Sequence, residues 1–206
     1  NIFIFDLETS GLNPYRDDII EIGIKKYKSD KSYQKLVIPQ SKELISDRIS
    51  ELTGITNDDI FQNGIIHSNA YIELYNFILE NSDKSSPIVY LISHNGNAFD
   101  FIFFKRILYD MNKNDGNLQG LEFRYLDTLN LSRRLIDQNS YKMSSLCKRF
   151  NIENSSEHRA MGDVLALEQI FDKLYRTWSK KDELIDIEEL DTIIKYTNYE
   201  IHAGWV

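Results

Sequence analysis

The chain has 206 residues, of which 42% are apolar and 12% aromatic, and its net charge is −8. This length and apolar content suffice for one sizeable core, so we expect a single compact domain without a long disordered linker. The acidic balance argues against a protein that coats nucleic acid with a broad basic face, because such binding requires many neutralised phosphates.

The cellular compartment can also be bounded from the sequence. Cys147 is the only cysteine, which excludes an internal disulfide and a cysteine-based zinc site and suits a reducing compartment. No apolar run approaches the roughly 20 residues of a membrane span, and the first residues show neither a charged leader nor a cleavage site. We therefore expect an intracellular protein, cytoplasmic or nuclear, that is neither secreted nor held in a membrane.

The first forty residues predict a strand followed by a hairpin. Residues 1–7 form an Ile- and Phe-rich run that is too short for a helix, and they predict a buried central strand with acids at its C-terminal end. After a loop, residues 19–24 and 33–38 predict two more strands joined by a Lys-rich turn at residues 28–32.

Helices and strands alternate in the remainder of the chain. Strands are predicted at residues 88–92 and 121–126. Apolar residues at helical spacing predict further helices, at residues 46–53, 65–80, 98–111, 128–137, 142–150 and 159–176. Two shorter helices are expected within residues 179–197. This order indicates the α/β class, with a mixed five-stranded sheet flanked by helices. We assign residues 1–178 to the main domain and residues 179–206 to a C-terminal helical extension packed on it.

Acidic residues stand at the end of the first predicted strand. Asp6 and Glu8 are two residues apart, and side chains two apart on a strand point to the same face, so both carboxylates can reach one metal ion. So short a pair also occurs at solvated strand ends. Taken alone, the pair does not decide between the two interpretations.

Two later segments carry further candidate residues. Asp100 begins a predicted helix after a tight turn at Asn95 and Gly96, where it either supports a metal or caps the helix. His158 and Asp163 lie five residues apart, with His158 on the approach to a helix and Asp163 facing inward from it. A lone histidine near a helix start is often only an exposed polar residue, so this segment alone is also ambiguous.

The three segments adjoin predicted core elements in an order that one fold would bring together. Four acids that converge on one spot repel each other unless a cation lies between them. Oxygen ligands of this kind suit Mg²⁺ or Mn²⁺ and not zinc. The coincidence of the three segments therefore indicates a divalent-metal site.

These motifs resemble those of the DEDDh group of 3′-to-5′ exonucleases, which have a ribonuclease H-like fold. Asp6 and Glu8 match the first motif, and Asp100 matches the second. His158 and Asp163 match the third, in which histidine separates this group from a sister group that carries tyrosine. The resemblance covers nearly the whole chain.

Local details point to DNA-directed members of the group. Residues 94–101 and 162–167 are similar to the three-prime repair exonucleases, and residues 49–56 are similar both to them and to bacterial polymerase proofreading exonucleases. The chain departs from the repair enzymes in lacking a Pro-rich insertion. The implied reaction is removal of nucleoside monophosphates from the 3′ ends of single-stranded or frayed DNA.

The resemblance also implies a mechanism with two Mg²⁺ or Mn²⁺ ions. Asp6 would bridge both ions, and Glu8 and Asp163 would complete the site that activates water. Asp100 would support the second ion. His158 would act as general base, a task that suits histidine because this side chain changes protonation near neutral pH.

Substrate contacts are expected at four further residues. Leu12 and Leu52 match positions at which the family places apolar wedges between terminal bases, although either leucine also fits an ordinary core. The Thr9 backbone and Asn95 are further candidates for contacting the last nucleotide. Basic and aromatic residues interleave over residues 25–35 as on nucleic-acid surfaces, but a solvated hairpin explains them as well, because edge strands carry lysine against aggregation.

Two alternative functions remain open. Exoribonucleases of the same group use the same five residues, and catalysis does not require discrimination of the sugar. The other alternative is a nucleic-acid-binding subunit that retained the fold but lost turnover, and the intact set of acids argues against it. The acidic net charge is compatible with the enzyme, because metal ions at a strand end can meet the reacting phosphate with few basic side chains elsewhere.

Overall fold

A mixed sheet of six strands forms the centre of the molecule. The computed structural model describes residues 1–115, 120–154, 158–180 and 185–203. Within these ranges the strands are β1 (Ile2–Thr9), β2 (Ile19–Lys26), β3 (Ser32–Ile38), β4 (Ile65–Ile66), β5 (Ile88–Ser93) and β6 (Glu122–Asp127). They lie in the order β4-β3-β2-β1-β5-β6, so β1 is an interior strand as its apolar sequence predicts.

Helices flank the sheet. In chain order they are α1 (Asp47–Thr53), α2 (Asn57–Asn63), α3 (His67–Glu80), α4 (Asp100–Asp115), α5 (Thr128–Leu135), α6 (Met143–Phe150), α7 (Ala160–Ser179) and α8 (Ile187–Ala203). No helix in the described part of the chain combines the length and the apolar character needed to cross a bilayer.

Strand direction brings separate segments to one edge of the sheet. β1 is antiparallel to β2 but parallel to β5, and β5 is parallel to β6. The C-terminal ends of β1, β5 and β6 therefore lie at the same edge. Thr9, Ser93 and Asp127 end these three strands, so the first two predicted motifs meet there.

Alternation along β1 divides its side chains between two cores. Phe3 and Phe5 pack on one face of the sheet with residues of α3 and α4. Ile4 packs on the other face with residues of α5, α6, α7 and α8. Because side chains alternate along a strand, Asp6 and Glu8 continue the Ile4 face and point toward α7.

The predicted count of five strands is wrong, because β4 is a sixth. Ile65 and Ile66 pair with Val37 and Ile38 of β3. The apolar pair extends the helical pattern of the following residues, so the pattern predicts it as part of the helix. A two-residue strand is too short to show its own periodicity.

Helix α2 was missed for a related reason. Its helical signal lies in its cap, since the Thr56 hydroxyl accepts a hydrogen bond from the Asp59 amide and the Asp59 carboxylate accepts one from the Thr56 amide. Ile60 is its buried residue, so the helix has no apolar stripe. A capping box was the available signal.

Helix α8 packs on the same core as the sheet. Leu190 and Ile193 are fully buried, and Asp191 accepts a hydrogen bond from the Tyr90 hydroxyl at 3.0 Å and pairs with Arg124. In the described part of residues 179–197, one continuous helix replaces the two shorter helices expected from the sequence. The division of the chain at residue 178 stays a prediction.

The Lys-rich hairpin is tied to α7. Lys25 forms an ion pair of 2.7 Å with Glu168, and the Tyr27 hydroxyl donates a hydrogen bond to Asp172. Lys28 lies 3.7 Å from the same Asp172 carboxylate. These contacts give part of the basic and aromatic segment a structural role that neither interpretation of the sequence included.

Candidate active site

Three carboxylates meet between β1 and α7. Asp6 and Glu8 project from β1, and Asp163 lies in the first turn of α7. Each contributes a carboxylate oxygen, and these oxygens lie within 4.8 Å of one another. The first and third predicted motifs therefore form one cluster.

A glycine of β2 allows α7 to approach the sheet so closely. A Cβ atom at Gly23 would lie 2.7 Å from the Ala160 carbonyl carbon, well inside van der Waals contact. Gly23 also pairs with Asp6 in the sheet register. The missing side chain thus lets the start of α7 sit directly beside the strand residue that carries the first acid.

Asp100 approaches the same site from the second motif. It begins α4, is 2% exposed, and its Oδ1 accepts a hydrogen bond from the Leu7 amide at 3.1 Å. Its Oδ2 accepts one from the Ser93 hydroxyl at 2.7 Å. Asp100 therefore links the ends of β1 and β5, in addition to the metal role expected for it.

His158 lies on the loop that leads into α7. It is exposed and lines the cleft beside the carboxylates, and its backbone has a positive φ of 63°. Histidine is among the non-glycine residues that tolerate this region best. The His158 amide donates to Asp163 Oδ2 at 3.0 Å, and Asn154 donates to Asp163 Oδ1 at 2.7 Å. The third motif is thus held as one unit.

Burial and mutual repulsion raise the pKa values of the acids. Burial, followed by the charges of Asp163, Glu21 and Asp100, raises the pKa of Glu8 to about 9. Burial and the neighbouring acids, Asp100 first, also raise the pKa of Asp6. Burial raises the pKa of Asp100 to about 7 against the opposing effect of its hydrogen bonds. A nearby cation would favour the ionised forms.

A cleft of about 810 Å³ opens beside the carboxylates. Leu12 and Asn95 line it, and the Leu12 side chain is 83% exposed. Thr9 is buried and its hydroxyl donates to the Gly11 carbonyl at 2.6 Å, and Leu52 lies on α1, outside the lining of the cleft in the described residues. Two of the four predicted substrate contacts therefore face the cleft.

The cleft has a basic part that the sequence does not predict. Arg133 of α5 and Lys142, at the start of α6, line it together with Tyr141. Half-buried His94 donates a hydrogen bond from Nε2 to the Tyr141 carbonyl at 2.9 Å, and the Thr128 hydroxyl oxygen lies 2.9 Å from its Nδ1. Burial lowers the pKa of His94, which favours its neutral form. Isolated basic residues carry no sequence pattern that would have revealed this surface.

Two buried acids were also missed, and each had a signal. Asp127 ends β6, as Asp6 lies near the end of β1, and its carboxylate accepts hydrogen bonds from the amides of Asn95 and Asn97 at 2.9 and 3.0 Å. Glu21 is the single acid of the Ile-rich strand β2 and is 0% exposed. A charge within an apolar run marks a buried residue that needs partners.

A family model described as Exonuclease, RNase_T, matches residues 3–171. The chain belongs to this exonuclease family. The predicted resemblance to the DEDDh-type 3′-to-5′ exonucleases of the ribonuclease H-like superfamily is thereby confirmed. Members of the family are hydrolases that depend on a divalent metal.

Relatives of the exonuclease family cover most of this chain. A PolC-type DNA polymerase III of Thermotoga petrophila is 32% identical over 201 residues, which are 94% of this chain and 13% of the polymerase. The chloroplastic/mitochondrial exonuclease DPD1 of Arabidopsis thaliana is 29% identical over 186 residues, which are 84% of this chain and 55% of the plant protein. The chain thus spans only part of the length of these relatives.

Solved structures confirm the expected fold. The zinc-bound complex of E. coli exonuclease I with single-stranded DNA superposes with a TM-score of 0.71 at 20% identity. The match covers 87% of this chain and 41% of exonuclease I. The fold is therefore ribonuclease H-like, as the motif order predicts.

The residues of the exonuclease site fit a divalent cation. Asp6, Glu8 and Asp163 supply hard oxygen donors, which Mg²⁺ and Mn²⁺ prefer. Burial and the neighbouring acids raise the pKa values of Asp6 and Glu8, so the protein alone compensates these two carboxylates poorly. A bound divalent cation would offset both the repulsion between the carboxylates and the cost of burying their charges.

Proposed function

We propose that this chain hydrolyses single-stranded or frayed DNA from the 3′ end and releases nucleoside monophosphates. The observation that carries this proposal is the approach of Asp6, Glu8 and Asp163 within 4.8 Å of one another, beside His158 in an exonuclease-family fold. Support for DNA comes from the names of the relatives, a DNA polymerase and an exonuclease solved with single-stranded DNA.

The proposed cofactors are two Mg²⁺ or Mn²⁺ ions. Asp6, Glu8 and Asp163 would hold them, and Asp100 would support the second ion. Bound at these residues, such ions supply charge stabilisation for the reacting phosphate and lower the pKa of water. The hydrogen bonds from Leu7 and Ser93 hold Asp100 in one orientation toward this site.

His158 is the proposed general base. It lies at the cleft, exposed, where its ring can take the proton of an attacking water molecule. The hydrogen bond from its own amide to Asp163 links the position of the base to that of a proposed metal ligand. Proton transfer to the imidazole would leave hydroxide to attack phosphorus. The bond from phosphorus to the O3′ of the penultimate nucleotide would break, that oxygen would take up a proton, and the 3′-terminal nucleotide would leave as its monophosphate.

The lining of the cleft suits a single strand. Leu12, exposed at the cleft, is the proposed wedge against the terminal base. Arg133 and Lys142 offer positive charge for upstream phosphates, and Tyr141 offers an aromatic surface for a base. Leu52 on α1 and the Thr9 backbone remain proposed contacts with less support, because neither lines the cleft.

Product analysis on strands labelled at the 3′ or the 5′ end tests the proposed reaction. With Mn²⁺ or Mg²⁺, we expect release of the 3′ label as a mononucleotide and stepwise shortening of the 5′-labelled strand. EDTA and the Asp6→Asn substitution should abolish both results. Asp58→Asn, at an exposed carboxylate of α2, is the matched control.

The same assay distinguishes the alternatives. A DNA strand and an RNA strand of identical sequence should be degraded at different rates, with DNA faster. Faster degradation of RNA would identify an exoribonuclease. Absence of hydrolysis with Mn²⁺ while the strand still binds would identify a silent nucleic-acid-binding subunit. Shortening from the 5′ end would contradict the proposed direction.

A further inference from the structure

Glu21 is a buried carboxylate in the middle of β2. It is 0% exposed, and a buried charge is costly unless it is paired and fully hydrogen-bonded. In the sheet register Glu21 lies opposite Glu8, and like charges at such a pair of positions are unfavourable. An acid at this position therefore requires a compensating role.

Four hydrogen bonds compensate the Glu21 carboxylate. Oε1 accepts from Gln34 Nε2 at 2.8 Å and from Arg159 Nη2 at 2.8 Å. Oε2 accepts from Arg159 Nε at 3.2 Å and from the Ala160 amide at 3.0 Å. Each oxygen thus receives two donors, which argues against Glu21 as an additional metal ligand.

Three of these bonds tie the start of α7 to the sheet. Arg159 is the N-cap residue of α7, and its own side chain makes no capping hydrogen bond. The amide of Ala160 is one of the first amides of the helix, which have no partner inside the helix. Glu21 satisfies that amide from a neighbouring strand and holds the guanidinium of Arg159 by two bonds at once.

Arg159 and Ala160, which Glu21 bonds to the sheet, lie between the proposed base and a proposed metal ligand. His158 directly precedes Arg159, and Asp163 follows Ala160 within the first turn of α7. Gly23, two residues beyond Glu21 on β2, provides the close contact with Ala160. One stretch of β2 therefore sets where the third motif lies relative to Asp6 and Glu8.

We propose that Glu21 is a positioning residue for the exonuclease site. It holds His158 and Asp163 in place relative to Asp6 and Glu8, through Arg159 and the first amide of α7. The inference rests on the proposed function for its catalytic consequence, but its structural consequence for metal binding is independent of turnover. Partners of this kind around metal ligands typically contribute 10–100-fold to metal affinity or activity.

The test compares Glu21→Gln and Arg159→Ala with a matched control, Gln34→Ala. Glu21→Gln keeps the shape of the side chain but turns one acceptor oxygen into an NH₂ group facing donors. Gln34→Ala also removes a donor to Glu21, yet leaves the link to α7 intact. Arg159→Lys keeps the charge but loses the two-pronged contact, and it should restore part of the function lost in Arg159→Ala.

We expect Glu21→Gln and Arg159→Ala to bind Mn²⁺ about 10–100-fold more weakly than the wild type, with Gln34→Ala within about 2-fold. The kcat of DNA hydrolysis should fall by a similar factor while KM for the strand changes little. Amide exchange in EDTA should become faster at Ala160 in both variants. It should be unchanged at Ile170, which is buried further along α7.

Two results would overturn the proposal. One is Mn²⁺ affinity and exchange at Ala160 that match the Gln34→Ala control. The other is a loss of activity that follows only a lower melting temperature, with no change in Mn²⁺ affinity. Should Glu21→Gln fail to fold, Arg159→Ala carries the test, because that side chain is 41% exposed. Failure of the proposed function would instead show as a wild type that binds Mn²⁺ without hydrolysis.

Discussion

The acids of this molecule fall into two groups that differ in their partners. Asp100 and Asp127 accept hydrogen bonds from the backbone at the ends of β1 and β5. Asp6 and Glu8 instead face each other and Asp163, and in the described part of the chain no hydrogen-bond donor contacts their carboxylates. The first group organises the fold, whereas the second requires a cation that the chain does not supply.

Asp6→Asn should have the largest effect, because it removes an acid from the poorly compensated group. We expect kcat to fall by about 10³–10⁴-fold, since residues that act as a unit lose most of their effect when one is removed. Calorimetric titration with Mn²⁺ should show a parallel loss of binding. An Asp6→Asn variant with more than a tenth of wild-type activity would show that the cluster is not the reactive centre.

His158→Ala should lower kcat but leave Mn²⁺ binding close to that of the wild type. Loss of a general base typically costs about 10²–10⁴-fold in rate. The measurement is single-turnover hydrolysis at saturating Mn²⁺, with binding followed separately. Near-normal turnover in this variant would rule out His158 as the base.

Asp127→Asn should destabilise the protein, because both carboxylate oxygens of Asp127 accept hydrogen bonds from the backbone. The NH₂ group of the new asparagine would face the backbone N–H of Asn95 or Asn97, and a lost hydrogen bond of this kind costs about 1–3 kcal/mol. We expect the melting temperature in EDTA to fall by roughly 2–4 °C per kcal/mol. An unchanged melting temperature would mean that Asp127 does not hold the second motif.

Glu8→Gln, unlike Asp127→Asn, should raise the melting temperature of the metal-free protein. The pKa of Glu8 is about 9 when folded against an ordinary 4.5, so the folded state binds a proton that the unfolded state releases. Stability therefore falls as pH rises from about 4.5 to about 9. In EDTA at pH 8 we expect Glu8→Gln to melt about 2–4 °C above the wild type, the equivalent of about 1 kcal/mol.

The pH dependence is the check on that result. The advantage of Glu8→Gln should disappear near pH 4.5, where the wild-type carboxyl is protonated in both states. Saturating Mn²⁺ should reverse it, because the ion stabilises only the wild-type site. A variant that is less stable than the wild type in EDTA at pH 8 would contradict the idea of an uncompensated acid.

Leu12→Ala should have the smallest effect, and this effect should be limited to binding of the DNA strand. We expect KM for single-stranded DNA to rise by roughly 5-fold, the equivalent of about 1 kcal/mol, with kcat nearly unchanged. Leu52→Ala tests the less supported contact on α1, outside the cleft lining, and should change KM by less than about 2-fold. Equal effects of the two substitutions would place the wedge elsewhere.

Residues in short motifs could be predicted from the sequence, whereas residues that act through distant partners could not. Asp6, Glu8 and Asp163 stand in short motifs next to apolar runs, so the sequence pattern predicts that they share one site. The part played by Glu21 depends on Arg159 and Ala160, which are 138 and 139 residues away along the chain. Pairing over such a separation has no local pattern.

The sequence likewise predicted those strands and helices that have a clear local pattern. Long apolar runs predicted β1, β2 and β5 and the long helices, because periodicity reports burial directly. β4 and α2 escaped because a two-residue strand and a polar, capped helix bury too few side chains to show a period. The basic cleft residues Arg133 and Lys142 become a surface only once α5 and α6 are folded.

Anomalous scattering from crystals soaked in MnCl₂ is the most direct test of the metal site. We expect density in contact with the carboxylate oxygens of Asp6, Glu8 and Asp163, and its loss in crystals of Asp6→Asn. A second peak near Asp100 would support two ions. Crystals that bind Mn²⁺ elsewhere, or that show no density between these three carboxylates, would contradict a metal site at Asp6, Glu8 and Asp163.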